Sequence, residues 1–227
     1  SEPAGHITLT GMVAEDLSTE SVEYAISTYA HPEKATAWVY RRGKHCFYVL
    51  NFEEATWVYD LKTREWHERA RLDDGIWARH PIAVSEYIPD LKLHLVGDYR
   101  DGRVYILDPT YYKNGEDPLV RMRISPHISA ELKRMAINYF ELDFEAGVGL
   151  DGLGQGTDPQ VMLDWSDDGG RTWSNERTSP MGKIGATLAR AVFWRLGMSR
   201  DRIFRVRIAD PVKVVLLSAN ITLAGVA

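Results

Sequence analysis

The chain has 227 residues, 44% apolar and 11% aromatic, with a formal net charge of −5. That composition can fill a globular core, and with Lys and Arg dispersed along an acidic chain it excludes the basic stripe that neutralises nucleic-acid phosphates. The single Cys46 rules out an internal disulfide, and its place in the apolar run "HCFYVL" predicts a small buried hydrophobe.

No stretch approaches the ~20 consecutive apolar residues of a membrane span. The N-terminal "SEPAGHITLT" has neither a basic n-region nor an apolar h-region, so a chain made in the cytoplasm and kept off membranes is expected. Seven Trp and eleven Tyr fall in short clusters between Gly, Pro and Asp, which predicts an all-β fold.

Residues 1–30 form an N-terminal segment without an assigned element. Within 19–29, Val22, Ile26 and Tyr29 recur at helical intervals, yet the β-branched and Ser-rich composition suits a strand equally. Residues 31–128 then read as two four-stranded antiparallel meanders that resemble β-propeller blades. The first holds "TAWVY", "HCFYVLNF", "ATWVYDL" and "EWHERA", joined by turns too short for anything but hairpins. The second holds "PIAVSEY", "KLHLVGDY", "RVYILD" and "PLVRMRIS", with turns at Asp101-Gly102 and Asn114-Gly115. Trp57-Val58-Tyr59-Asp60 lies over Tyr105-Ile106-Leu107-Asp108 at an offset of about 48 residues, within the period of a blade. Each match ends on an Asp able to cap the following turn.

Residues 129–227 form a C-terminal β-rich region, with its boundary expected near 124–134. "AINYFELDF" alternates as a strand, "EAGVGLDGLGQGTDPQ" is a glycine-rich loop, and "VMLDW", "RAVFWRL", "RIFRVRI" and "VKVVLLSANITL" are further strands. A third blade and a separate β-sandwich both accommodate this pattern. Between "VMLDW" and "RAVFWRL", Ser166, Asp168, Gly170, Thr172 and Trp173 match the Asp-box that many sialidases and other β-propellers carry once per blade. The side chains of Ser166 and Asp168 can bond the backbone of their own turn, Gly169 and Gly170 permit positive φ, and Trp173 is expected to open the next strand as a buried anchor. The motif is a turn device and implies no chemistry.

A search for chemistry returns nothing that predicts catalysis, a cofactor or a metal. The carboxylate pairs Glu53-Glu54, Asp73-Asp74 and Asp167-Asp168 fall in predicted turns, where solvated surface charge explains them. The histidines at 6, 31, 45, 67, 80, 94 and 127 form no H-E-x-x-H or H-x-H pattern. His67 and His94 read as packing or interface residues. "GLGQG" at 152–156 is followed by loop and strand, so it lacks the helix a dinucleotide loop needs. Sialidase chemistry would need an arginine cluster and a Tyr–Glu pair spread over six blades, and only Phe204-Arg205-Val206-Arg207 approaches an arginine motif.

Several phrases taken in order, "HCFYVLNFEEATWVYDLKTREWHERA", "LVGDYRDGRVYILD", "FEAGVG" and "DDGGRTWSNERTSPMGKIGATLARAVFWRLGMSRDRIFRVRIADPVKVVLLSA", resemble the C-terminal half of the packaged-DNA stabilisation family of short-tailed bacteriophages. These are tail-hub, or head-completion, proteins. The similarity spans most of residues 18–222, and Trp194-Arg195-Leu196-Gly197 with Arg200-Asp201-Arg202-Ile203-Phe204 is its most distinctive part. The resemblance implies a structural protein of the virion tail or neck, without enzymatic activity or cofactor. It implies docking below the portal and its adaptor ring, contacts with the tail needle and tailspikes, and a hexameric ring whose channel passes DNA without reading its sequence. Family members are roughly twice as long as this chain, so the sequence is expected to be a fragment, a processed product or a shorter relative, and a closed propeller is not expected of it.

Trp194, Arg195, Arg200, Asp201 and Arg202 are the interface candidates under this reading. Trp38, Trp57 and Trp66 could serve as anchors too, although core packing is the ordinary fate of Trp. The glycine-rich loop at 147–157 is a further docking candidate. The competing expectation is a glycan-binding or glycan-processing β-protein, carried only by the Asp-box and by aromatics that could lie at the surface.

Overall fold

A computed structural model describes residues 7–10, 13–131 and 133–226. His6 therefore lies outside the described residues. The chain divides into two compact units, Ser1–Asp108 and Pro109–Ala227.

The first unit begins with the hairpin β1 (Ile7–Thr10) and β2 (Val13–Asp16), followed by helix α1 (Glu20–Ser27). The helical spacing in this segment thus prevails over its strand-like composition. Val22 and Ile26, four residues apart, are both buried and pack with Leu50 and Phe52, while Glu20 and Glu23 sit in the first turn, where the helix dipole favours negative charge. An eight-residue helix is marginal alone, so this packing is what holds it.

Strands β3 (Thr36–Arg42), β4 (His45–Asn51), β5 (Thr56–Asp60), β6 (Glu65–Asp73) and β7 (Ile76–Arg79) form one antiparallel meander in chain order. Its first four strands are those expected, and β7 adds a fifth through the turn that contains Asp74. Strands β8 (Ile82–Ile88), β9 (Leu93–Asp98) and β10 (Val104–Ile106) form a second meander of three. Trp57 and Tyr105 do fall on the third strand of their respective meanders, and Asp60 accepts the Lys62 amide at 3.0 Å in the next turn. Neither sheet, however, has the four strands expected of a blade.

A buried polar link ties the two meanders together. Asn51, 1% exposed, donates from Nδ2 to the Ile82 carbonyl at 3.0 Å and accepts the Thr56 hydroxyl at 2.9 Å. Trp38, Tyr40 and Tyr87 surround the His94 ring, with centroids 5.6–6.4 Å away, so His94 packs as expected. His67 is exposed and meets the edge of Phe47. Cys46 is half-buried on β4, more open than its apolar run suggested, because the first residues of β4 lie at the sheet end.

In the second unit, β11 (Lys113–Asn114) and β12 (Asp117–Pro118) make a small hairpin at Asn114-Gly115. Strands β13 (Arg121–Ile124), β14 (Ile128–Ser129), β15 (Met135–Phe144), β16 (Gln160–Ser166), β17 (Arg177–Pro180), β18 (Ala191–Ser199), β19 (Asp201–Ile208) and β20 (Leu216–Val226) follow. One sheet runs β13-β19-β16-β17, with β14 also on β19, and the other runs β18-β15-β20. Strand β13 was expected to close the second meander, but it pairs with β19, Met122 opposite Arg207 and Ile124 opposite Arg205.

The inward residues of both sheets form one core. Met135, Ile137, Phe140, Leu142 and Phe144 of β15, Ala191, Phe193 and Leu196 of β18, Val161 and Leu163 of β16, and Phe204 and Ile208 of β19 belong to it. Two antiparallel sheets that share their inner faces constitute a β-sandwich. The C-terminal region is therefore a sandwich and not a third blade.

Candidate functional site

The distinctive run at 194–202 falls at one end of this sandwich, where β18 turns directly into β19. Strict alternation would keep every second residue of β18 inside. Instead Ala191 and Phe193 are buried, Trp194 and Arg195 are both exposed, and Leu196 is buried again. The pairing with β15 slips between Ile137 and Tyr139 at the same place, and Arg195 has a φ of 57°. This is a β-bulge, which re-aims side chains at sheet margins. The bulge turns Trp194 outward, leaving it 56% exposed. Its ring lies 4.8 Å from that of Tyr139 on the neighbouring strand, and its carbonyl accepts the Arg177 guanidinium at 2.8 Å.

The five interface candidates do not share one environment. Trp194, Arg195 and Arg200 are exposed and Asp201 is partly so, with its carboxylate 2.7 Å from the His127 ring nitrogen. Arg202 is 2% exposed. Its Nε and Nη2 reach the two oxygens of Asp167 at 2.6 and 2.7 Å, its Nη1 donates to the Leu196 carbonyl, and its guanidinium lies 5.2 Å from the Trp165 ring. With those donors already used inside the fold, Arg202 braces the bulged strand and is not a free surface anchor.

The turn at 166–173 lies beside this end. The Ser166 hydroxyl donates to Asp168 at 2.7 Å and accepts the Gly170 amide at 2.9 Å; Asp168 in turn accepts the amide and hydroxyl of Thr172 at 2.9 and 2.6 Å. The φ values of Gly169 and Gly170, 71° and 92°, are the left-handed region this turn requires. Hydrogen bonds from the Ser166 and Thr172 hydroxyls hold the Asp168 carboxyl well below the usual carboxylate range. Trp173 departs from expectation: the next strand starts only at Arg177, and Trp173 is half-buried under the Arg205 guanidinium, 3.9 Å from its ring centre.

Composition did not point to the ion-pair network beneath that tryptophan. Asp164, 2% exposed on β16, receives both Nε and Nη2 of Arg205, and Arg207 spans Asp164 and Glu176 at 3.3 and 2.5 Å. The signal was the acid within the apolar run "VMLDW". The glycine-rich loop is also more built than its composition suggests. A Cβ on Gly149 would lie 2.8 Å from the Ile184 nitrogen and 2.9 Å from the Thr157 carbonyl, so the loop packs its backbone against the 182–189 loop.

Glu53-Glu54 and Asp167-Asp168 lie in bends and Asp74 in a turn, while Asp73 is the last residue of β6. Lys34 pairs with Glu53, Arg71 with Asp73 and Arg202 with Asp167. Among the described residues no group of three His, Cys, Asp or Glu is placed to hold a metal ion, and no helix is long and apolar enough to cross a membrane. Trp38, Trp57 and Trp66 pack partly buried against the cores of the first unit, with the Trp57 and Trp66 nitrogens bonded to the Tyr29 hydroxyl and the Leu17 carbonyl.

An antiparallel two-sheet sandwich, with a bulged strand and an arginine-rich turn at one end, is the class of domain that the second unit defines. Residues 120–224, most of the second unit, match the family model described as Bacteriophage P22 Gp10, beta-sandwich. A search of curated proteins found no match to the chain.

Proposed function

We propose that the chain is a tail-hub, or head-completion, protein of a short-tailed phage, which docks below the portal and adaptor ring and helps retain packaged DNA. The observation that carries this reading is the match of residues 120–224 to the Gp10 β-sandwich, which covers the second unit almost entirely. In this reading the protein works by shape and contact. The sandwich supplies a rigid body, and exposed Trp194, Arg195 and Arg200 supply anchors of the residue types that dominate protein interfaces.

The Asp-box assigned to residues 166–173 acts here as a structural turn that fixes the end of β16 beside the bulge. Arg202 supports the same end from inside. Assembly into a hexameric ring, with contacts to the tail needle and tailspikes, belongs to the same proposal, as does a virion location after synthesis in the host cytoplasm. The net charge of −5 suits a channel past which DNA slides without sticking.

The test is genome retention. DNA-filled particles lacking this gene product should leak their genome, and adding the purified chain should restore retention in proportion to occupancy. Particles that leak equally with and without the added protein would refute the role.

A further inference from the structure

We infer that Arg134 and Arg200 form a clamp for a carboxylate side chain of a partner protein, an inference that rests on the tail-hub reading and names the chemistry of one of its contacts. The register of β15 with β18 pairs Ala136 with Met198 and Met135 with Ser199. The ladder ends at that pair, and Arg134 and Arg200 are the residues just beyond the two strand ends. Both are exposed, and both line one open depression of about 510 Å³ together with Asp167, Met198 and Ser199.

Two like charges lining one depression repel, and an anion bound between them would relieve that repulsion. Among the described residues neither arginine has an ion-pair partner. Asp167, the one acid among the described residues that line the depression, has both oxygens engaged by buried Arg202. The depression therefore carries two uncompensated guanidinium groups, whose fork geometry suits bidentate recognition of a planar anion.

The surroundings select the source of that anion. Met198 is 57% exposed beside the pair, and Trp194 is 56% exposed on the same strand, residue types favoured where protein surfaces meet. The chain as a whole is acidic, which opposes close approach of a polyphosphate strand. An aspartate or glutamate on a protein surface satisfies both conditions, and a nucleic-acid phosphate satisfies only the first charge requirement.

The test is a fluorescence titration of the full chain at low ionic strength with a short glutamate-rich peptide and, separately, with a single-stranded oligonucleotide. Arg134→Gln/Arg200→Gln is compared with Lys44→Gln/Lys62→Gln, which removes the same charge from the other unit. The clamp predicts peptide binding weakened about tenfold by the arginine pair and little changed by the lysine pair. It also predicts that the arginine variant melts no lower than the parent, since repulsion is relieved. Equal peptide binding by both variants, no peptide binding by the parent, or arginine dependence seen only with the oligonucleotide would overturn it. Because no virion is involved, a working clamp alongside failed genome retention would count against the tail-hub reading alone.

Discussion

Phe140 of β15 and Phe204 of β19 stack across the interior of the sandwich, with ring centres 4.6 Å apart and planes 7° from parallel. The contact joins the two sheets at their middle, and Phe204 is wholly buried. Phe204→Ala should cost about 3–5 kcal/mol in urea unfolding of the second unit. A loss below about 1 kcal/mol would mean that the two sheets do not share this core.

The buried Arg202 offers a sharper contrast. Removal of Asp167 strands a buried guanidinium, so Asp167→Ala should destabilise by about 1–3 kcal/mol, reduced from a fully buried pair because the carboxylate is partly exposed. Asp167→Ala combined with Arg202→Met should recover part of that loss. Additive losses in the double variant would show that the pair is not coupled, as measured in a double-mutant cycle.

These two predictions concern residues of different legibility. Phe140 and Phe204 could be placed on strands from the sequence, since alternating apolar runs separate one sheet face from the other. The meander at 36–70 was readable for a related reason: its turns are too short for any other connection. Arg202 was not readable, because its burial depends on Asp167, 35 residues earlier, and an arginine in a polar run ordinarily faces water. Strand β13 was misplaced for the same cause. Its pairing of Ile124 with Arg205 is non-local, whereas sequence patterns report near neighbours. The bulge at Trp194 and Arg195 hides in an apolar pattern that simply changes phase. The meeting of Arg134 and Arg200 in one depression depends on where β15 and β18 end, which a sequence pattern does not report.

The turn at 166–173 predicts a stability effect without a catalytic one. Asp168→Ala removes acceptors for the Thr172 amide and hydroxyl and should lower the melting temperature of the second unit. Hydrolysis of glycan substrates should be absent in parent and variant alike. An unchanged melting temperature would remove the structural account of the turn, and glycan hydrolysis lost on substitution would replace it with a catalytic one.

In the first unit, acid should act through His80. Burial, reinforced by the positive charge of Arg69, pushes its imidazole down to about 4, while an unfolded histidine titrates near about 6.5. Between those values the unfolded chain binds the extra proton. The stabilisation is therefore complete above about pH 6.5 and is lost as pH falls toward about 4, by on the order of 1–3 kcal/mol. His80→Gln should flatten this part of the pH dependence in urea titrations. A parent protein whose stability is level across that window would show that His80 is free to protonate in the fold.

The central claim places this chain in the neck of a short-tailed virion, and the most direct measurement is electron-microscope reconstruction of DNA-filled particles before and after the purified chain is added. The account predicts a new ring of density beneath the portal into which the β-sandwich of residues 120–224 fits. Particles whose neck density is the same with and without the protein would contradict it.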